Sequence, residues 1–144
     1  NGVDDTPNQP DSSGEGPDCS GLVFKSWELK SSAGAGGFTW WNKLENVHGP
    51  YSSYDYYDPA SSDPFHRISK SRSSTMTMDA FAKQGHVGLL YTTSNPSAYT
   101  DWILEAYSDA SGSDVNERGY RYDSAYVAVR REGWTPECWP DCPV

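Results

Sequence analysis

Apolar and polar positions alternate most cleanly in the second half of the chain. His86–Thr93 (HVGLLYTT) reads as a strand with Val87, Leu89 and Tyr91 on one face, and Ser124–Arg131 (SAYVAVRR) as another, with Tyr126 and Ala128 opposite Val127 and Val129. Gly21–Lys30 (GLVFKSWELK) also reads as a strand, Val23, Trp27 and Leu29 on one face and Leu22 and Phe24 on the other; brief strands are expected at Phe65–Lys70 and Thr75–Met78. Intervals of three predict a short helix over Phe38–Val47, where Phe38, Trp41 and Leu44 share a face and Gly49-Pro50 ends the run. Asp79–Gln84 reads as one helical turn, capped by Asp79 and ended by Gly85. Pro96–Ala110 fits two patterns. Asn95 as cap, Pro96 at the first position and Tyr99, Trp102, Ile103, Ala106 and Tyr107 at helical spacing favour a helix, whereas a strand from Asp101 would alternate Trp102, Leu104 and Ala106 against Ile103, Glu105 and Tyr107.

Between these elements lie loops. Ser31–Gly37 (SSAGAGG) is one, and Tyr51–Pro64 (YSSYDYYDPASSDP) is another, with four tyrosines set among Ser, Asp and Pro. Composition explains what fills the core. Leu, Ile, Val and Phe together number only 20 of 144 residues, but Trp, Tyr and Phe also number 20, and each ring buries a large area. Trp27, Trp41 and Trp102 are therefore expected inside. The formal charge is −9, and five of the acids (Asp4, Asp5, Asp11, Glu15, Asp18) fall in the first eighteen residues, which hold no Lys or Arg. Residues 1–18 read as a solvated acidic Pro/Gly/Ser tether, and residues 19–144 as a single globular domain. Such a tether is what a processed surface protein carries, so an extracellular or cell-surface location is expected. No apolar run approaches the ~20 residues of a membrane span, and an acidic chain is a poor nucleic-acid binder.

The three cysteines, Cys19, Cys138 and Cys142, include no C-x-x-C pair, so neither a zinc ribbon nor a redox motif is indicated. In an exported protein they imply one disulfide and one spare thiol. A bridge from Cys19 to either distal cysteine would close a loop of over a hundred residues and contribute roughly 4 to 5 kcal/mol; a Cys138–Cys142 bridge would close only a small turn.

A further likeness concerns Phe81, Tyr91-Thr92-Thr93-Ser94, Asp101-Trp102-Ile103-Leu104, Ser108-Asp109 and Tyr126-Val127-Ala128-Val129-Arg130. This series resembles the closing half of the C-terminal domain family of bacterial collagen-like adhesins, which is similar in turn to the C-type-lectin-like and formylglycine-generating-enzyme group. The resemblance covers about a third of the chain. It implies an α+β, β-rich fold, with a small twisted antiparallel sheet, one or two short helices and long loops, and it makes Asp101–Tyr107 a strand. An all-β sandwich is the alternative.

No short catalytic motif is present. His48, His66 and His86 are scattered, and Arg118, Arg121, Arg130 and Arg131 form the one basic cluster, read as a charge-balanced surface strand. The chain is accordingly expected not to be an enzyme and to need no cofactor, with calcium the one ion left open. Aromatic side chains in loops are the functional lead, because sugar C–H faces stack on Tyr and Trp while neighbouring acids take the hydroxyls. Tyr54, Asp55, Tyr56, Tyr57 and Trp139 are the candidate ligand contacts. The expected function is a glycan-binding recognition module; the alternative is a subunit of an extracellular filament or surface assembly. The partner is then a glycan or neighbouring copies of the chain, as a homo-oligomer, with no nucleic acid.

Overall fold

The described residues of the computed structural model are 18–27, 29, 50–94, 96–108 and 112–134. The tether before Asp18, the loop Ser31–Gly37, the helix expected over Phe38–Val47, and Trp41, Cys138, Trp139 and Cys142 lie outside them.

Two short helices and six strands follow in order: α1 (Cys19–Ser26), α2 (Ser53–Tyr57), β1 (Phe65–Ile68), β2 (Ala80–Lys83), β3 (His86–Thr93), β4 (Asp101–Ser108), β5 (Gly112–Arg118) and β6 (Val127–Arg131). A 3-10 turn, Pro96–Ala98, precedes β4. The strands make one open sheet in the order β1-β6-β2-β3-β4-β5, every neighbour antiparallel. The fold is thus β-rich, as expected.

The segment read as a strand from Gly21 is instead α1. Asp18 caps it, its carboxylate accepting from Gly21 N (2.6 Å) and Ser20 Oγ (2.9 Å). Val23, Phe24 and Trp27, at positions i, i+1 and i+4, then share one buried stripe. Apolar residues on both sides of a period-two template had hidden that stripe. Asp79–Gln84 is corrected the other way. A four-residue run is short for a helix, and Gly85, at φ 92, completes a two-residue hairpin turn that pairs Lys83 with His86. Thr75–Met78 forms no strand: the Thr75 amide donates to Ser71 O and the Met76 amide to the Asp79 carboxylate, and only the Met78 amide reaches across to Leu90 O. Beyond the 3-10 turn, the segment holds strand β4 (Asp101–Ser108) and not the helix its spacing favours, with Asp109 and Ala110 outside the described residues.

The sheet buries both faces. Under α1 and α2 lie Val23, Phe24, Trp27, Tyr56, Phe65, Val87, Leu89 and Val129. The other face holds Phe81, Leu90, Ile103, Ala128, Tyr120 and Tyr126. Trp27 is in the core as expected; its indole also donates to Met78 O at 2.7 Å, fixing a residue at φ 74. Trp102 is not. It lies opposite Glu117 on the edge strand β5 and is 40% exposed. At Gly88 on β3, a Cβ would sit 2.6 Å from Ile103 Cγ2 and 3.3 Å from Glu105 Cβ, so only glycine allows β3 and β4 to approach this closely.

Three arginines of the expected surface cluster point inward, each to its own carboxylate. Arg130 grips Asp79 through Nε (2.8 Å) and Nη2 (2.7 Å), Arg121 Nε reaches Asp101 at 2.8 Å, and Arg118 Nε reaches Glu105 at 2.5 Å. Buried charge is tolerated only when paired and hydrogen-bonded in this way.

Candidate active site

Cys19 is the first residue of α1, so its amide lies ahead of the helical hydrogen-bond ladder and at the positive end of the helix dipole. α1 packs on β3 and β4. That contact brings Cys19 beside His86, the first residue of β3, close enough for the thiol to act on the ionisation of the imidazole. His86 Nε2 is engaged by Glu105 Oε2 at 2.8 Å, and Nδ1 is the ring nitrogen that Glu105 does not hold. Glu105 sits midway along β4 and is fully buried. It accepts from Tyr120 OH (2.7 Å) on the same oxygen and from Arg118 Nε (2.5 Å) on the other.

The electrostatics follow from these contacts. Burial opposes a charge on His86, but its interactions with Cys19 and Glu105 outweigh it and push its pKa up to about 9. Burial likewise works against the Glu105 carboxylate, and its three donors overcome that, holding it below the usual range. Tyr120 is raised by burial and by the same hydrogen bond, so it stays a donor. The imidazole ring is also held sideways, edge-on to Tyr107 at 5.7 Å and Tyr120 at 5.8 Å.

A thiol, an imidazole and a carboxylate in series, with the imidazole between, is the arrangement that activates a nucleophile: a base in contact with it and an orienting group in contact with the base. The groups form a chain and do not converge on a point, and no group of three His, Cys, Asp or Glu among the described residues could hold a metal ion.

The residues singled out from sequence fall elsewhere. Asp55 closes a capping box on α2, its carboxylate taking Ser52 N and Oγ, both at 2.7 Å. Tyr56 is a core residue, its ring 4.7 Å from Phe65 and 5.7 Å from Trp27, so it is unavailable to a ligand. Tyr54 is 50% exposed, and Tyr57 lies half-buried with the Arg67 guanidinium 5.1 Å from its ring centre. Trp139 lies outside the described residues, as do Cys138 and Cys142, the two expected disulfide partners of Cys19; among the described residues Cys19 is a free thiol. Sequence reading took Cys19 for half a disulfide and His86 for a scattered histidine. The signal that was available is a cysteine at a capped helix start with a histidine opening an apolar strand, groups that meet in space and not in sequence. Comparison with known protein families, curated proteins and solved structures finds no match.

Proposed function

We infer that the chain is a thiol-dependent acyl hydrolase or transferase, with Cys19 as nucleophile, His86 as general base and acid, and Glu105 as the group that orients His86. The observation that carries this reading is His86 set beside Cys19 and held by the buried Glu105 through Nε2 at 2.8 Å. In the reactive form the thiol proton of Cys19 rests on His86, and the thiolate attacks the carbonyl carbon of an amide or ester, giving a tetrahedral oxyanion beside the Cys19 amide. His86 then protonates the departing amine or alcohol, leaving a thioester on Cys19. Water, deprotonated by His86, attacks that thioester; the carboxylic acid leaves and the thiol regains its proton. Glu105 fixes the ring orientation and stabilises the imidazolium throughout.

The test is a p-nitrophenyl ester. The reading predicts a burst of one nitrophenolate per chain and one acyl group on Cys19 by peptide mapping, both lost in Cys19→Ala and His86→Ala. Ester cleavage that persists in Cys19→Ala contradicts it.

A second reading, the glycan-recognition module, has one feature in its favour: Tyr91, Tyr99, Trp102 and Tyr122 present large exposed rings, with Tyr99 and Tyr122 in edge contact at 5.3 Å. A glycan array on which Trp102→Ala and Tyr99→Ala lose signal supports it; an array with no hits removes it.

A further inference from the structure

Beside His86 opens a cleft of about 610 Å³, whose walls include Lys83, His86, Tyr107, Arg118, Tyr120 and Tyr126. Its cations, Lys83 and Arg118, differ from Arg121 and Arg130, which are buried against their carboxylates. The Lys83 ammonium lies 5.0 Å from the centre of the Tyr126 ring and, among the described residues, pairs with no carboxylate. Arg118 engages Glu105 through Nε alone, while its guanidinium carbon lies 4.4 Å from the centre of the Tyr107 ring. Its two Nη groups make no hydrogen bond among the described residues, and its side chain is 30% exposed. Asp123 is the one acid on the cleft wall, and its Oδ1 already accepts the Ala125 amide at 2.9 Å. The cleft wall is thus cationic on a chain whose net charge is −9.

We propose that this cleft is a carboxylate-binding site, in which the free edge of the Arg118 guanidinium and the Lys83 ammonium hold one carboxylate against the tyrosine rings. A planar two-oxygen acceptor matches the Nη fork, and an ammonium beside it supplies a point charge. The rings of Tyr107 and Tyr126 flank the aliphatic stem of such a ligand. Taken with the reading of Cys19 as nucleophile, on which this part rests, the ligand is an acyl substrate bearing a carboxylate close to the scissile bond.

The experiment titrates the intact chain with glutarate and with its neutral counterpart glutaramide, following backbone amide shifts by NMR. Glutarate is expected to give saturable shifts over residues 83–86 and at Arg118 and Tyr126, and glutaramide none. Lys83→Met weakens glutarate binding about tenfold, the scale of one lost charge-assisted hydrogen bond, while Lys83→Arg retains it and controls for folding. Equal responses to the two compounds, or an unchanged affinity in a folded Lys83→Met, overturn the carboxylate site. Inorganic phosphate binding more tightly than glutarate overturns the choice of a carboxylate. The same samples are treated with iodoacetamide: glutarate binding with an inert Cys19 leaves the carboxylate site standing and removes the nucleophile, and a reactive Cys19 without glutarate selectivity does the reverse.

Discussion

Replacing Glu105 by glutamine preserves shape and removes the charge on which three donors converge. The carboxylate takes His86 Nε2 and Tyr120 OH on Oε2 and Arg118 Nε on Oε1. An amide has one oxygen. In its better orientation that oxygen keeps His86 and Tyr120, and the NH2 group faces the Arg118 N–H, donor against donor. One charge-assisted bond is lost, about 1.5 to 3 kcal/mol, and the attraction between carboxylate and imidazolium disappears as well. Breaking a buried ion pair by removing one partner costs about 3 to 5 kcal/mol; because Arg118 can turn toward water, the lower end, about 3 kcal/mol, is expected. In urea, with a slope of about 1 to 3 kcal/mol per molar, the midpoint falls by roughly 1 to 3 M. Tryptophan fluorescence follows unfolding, and ring NMR signals follow His86, whose midpoint drops from about 9 because burial is then opposed by Cys19 alone. The pH profile changes too. A histidine raised from 6.5 to about 9 contributes stability that is complete below pH 6.5 and lost as pH rises through 9. Glu105, held below 4.5, contributes stability that is complete above 4.5 and lost as pH falls further. The wild type is therefore most stable between about pH 4.5 and 6.5 with respect to this pair, and Glu105→Gln flattens both limbs. An unchanged urea midpoint together with a His86 midpoint still near 9 refutes the reasoning.

Other substitutions probe the frame around the site. Gly88→Ala forces a methyl group against Ile103 Cγ2 at 2.6 Å and is expected to destabilise by about 1 to 3 kcal/mol; an alanine variant as stable as wild type contradicts the close approach of β3 and β4. Tyr56→Phe removes a buried hydroxyl that has no hydrogen-bond partner among the described residues, so stability should rise or stay level, by up to about 1 kcal/mol; a clear loss of stability shows that the hydroxyl has a partner. Arg130 and Asp79 form a pair that pins β6 to the turn before β2, and Asp79→Asn is expected to lose about 3 kcal/mol by urea unfolding, with a loss under 0.5 kcal/mol counting against it.

Strands with apolar residues on both faces and clear ends were legible: His86–Thr93 forms over its whole predicted span, and the strands at Phe65 and Val127 lie within theirs. The misread elements share a cause. In α1 both periods fit the same residues, and the decisive information is a cap bond from Asp18, an acid that composition had assigned to the tether. Strand β5 (GSDVNER) carries one large apolar residue because it is a sheet edge, so no periodicity announces it. The arginines looked solvated because their carboxylate partners lie 13, 20 and 51 residues away. The same distance hid the candidate site. Cys19, His86 and Glu105 each have an ordinary explanation in sequence, and only the packing of α1 on β3 and β4 puts them in one line.

Iodoacetamide alkylation of Cys19, read by peptide mapping at pH 7, tests that line most directly. A nucleophile paired with His86 should react at least about tenfold faster in the native wild type than in either His86→Ala or the urea-unfolded chain. A thiol that reacts more slowly in the native protein than in the unfolded chain, and at a rate His86→Ala leaves unchanged, is a packing residue and contradicts the account.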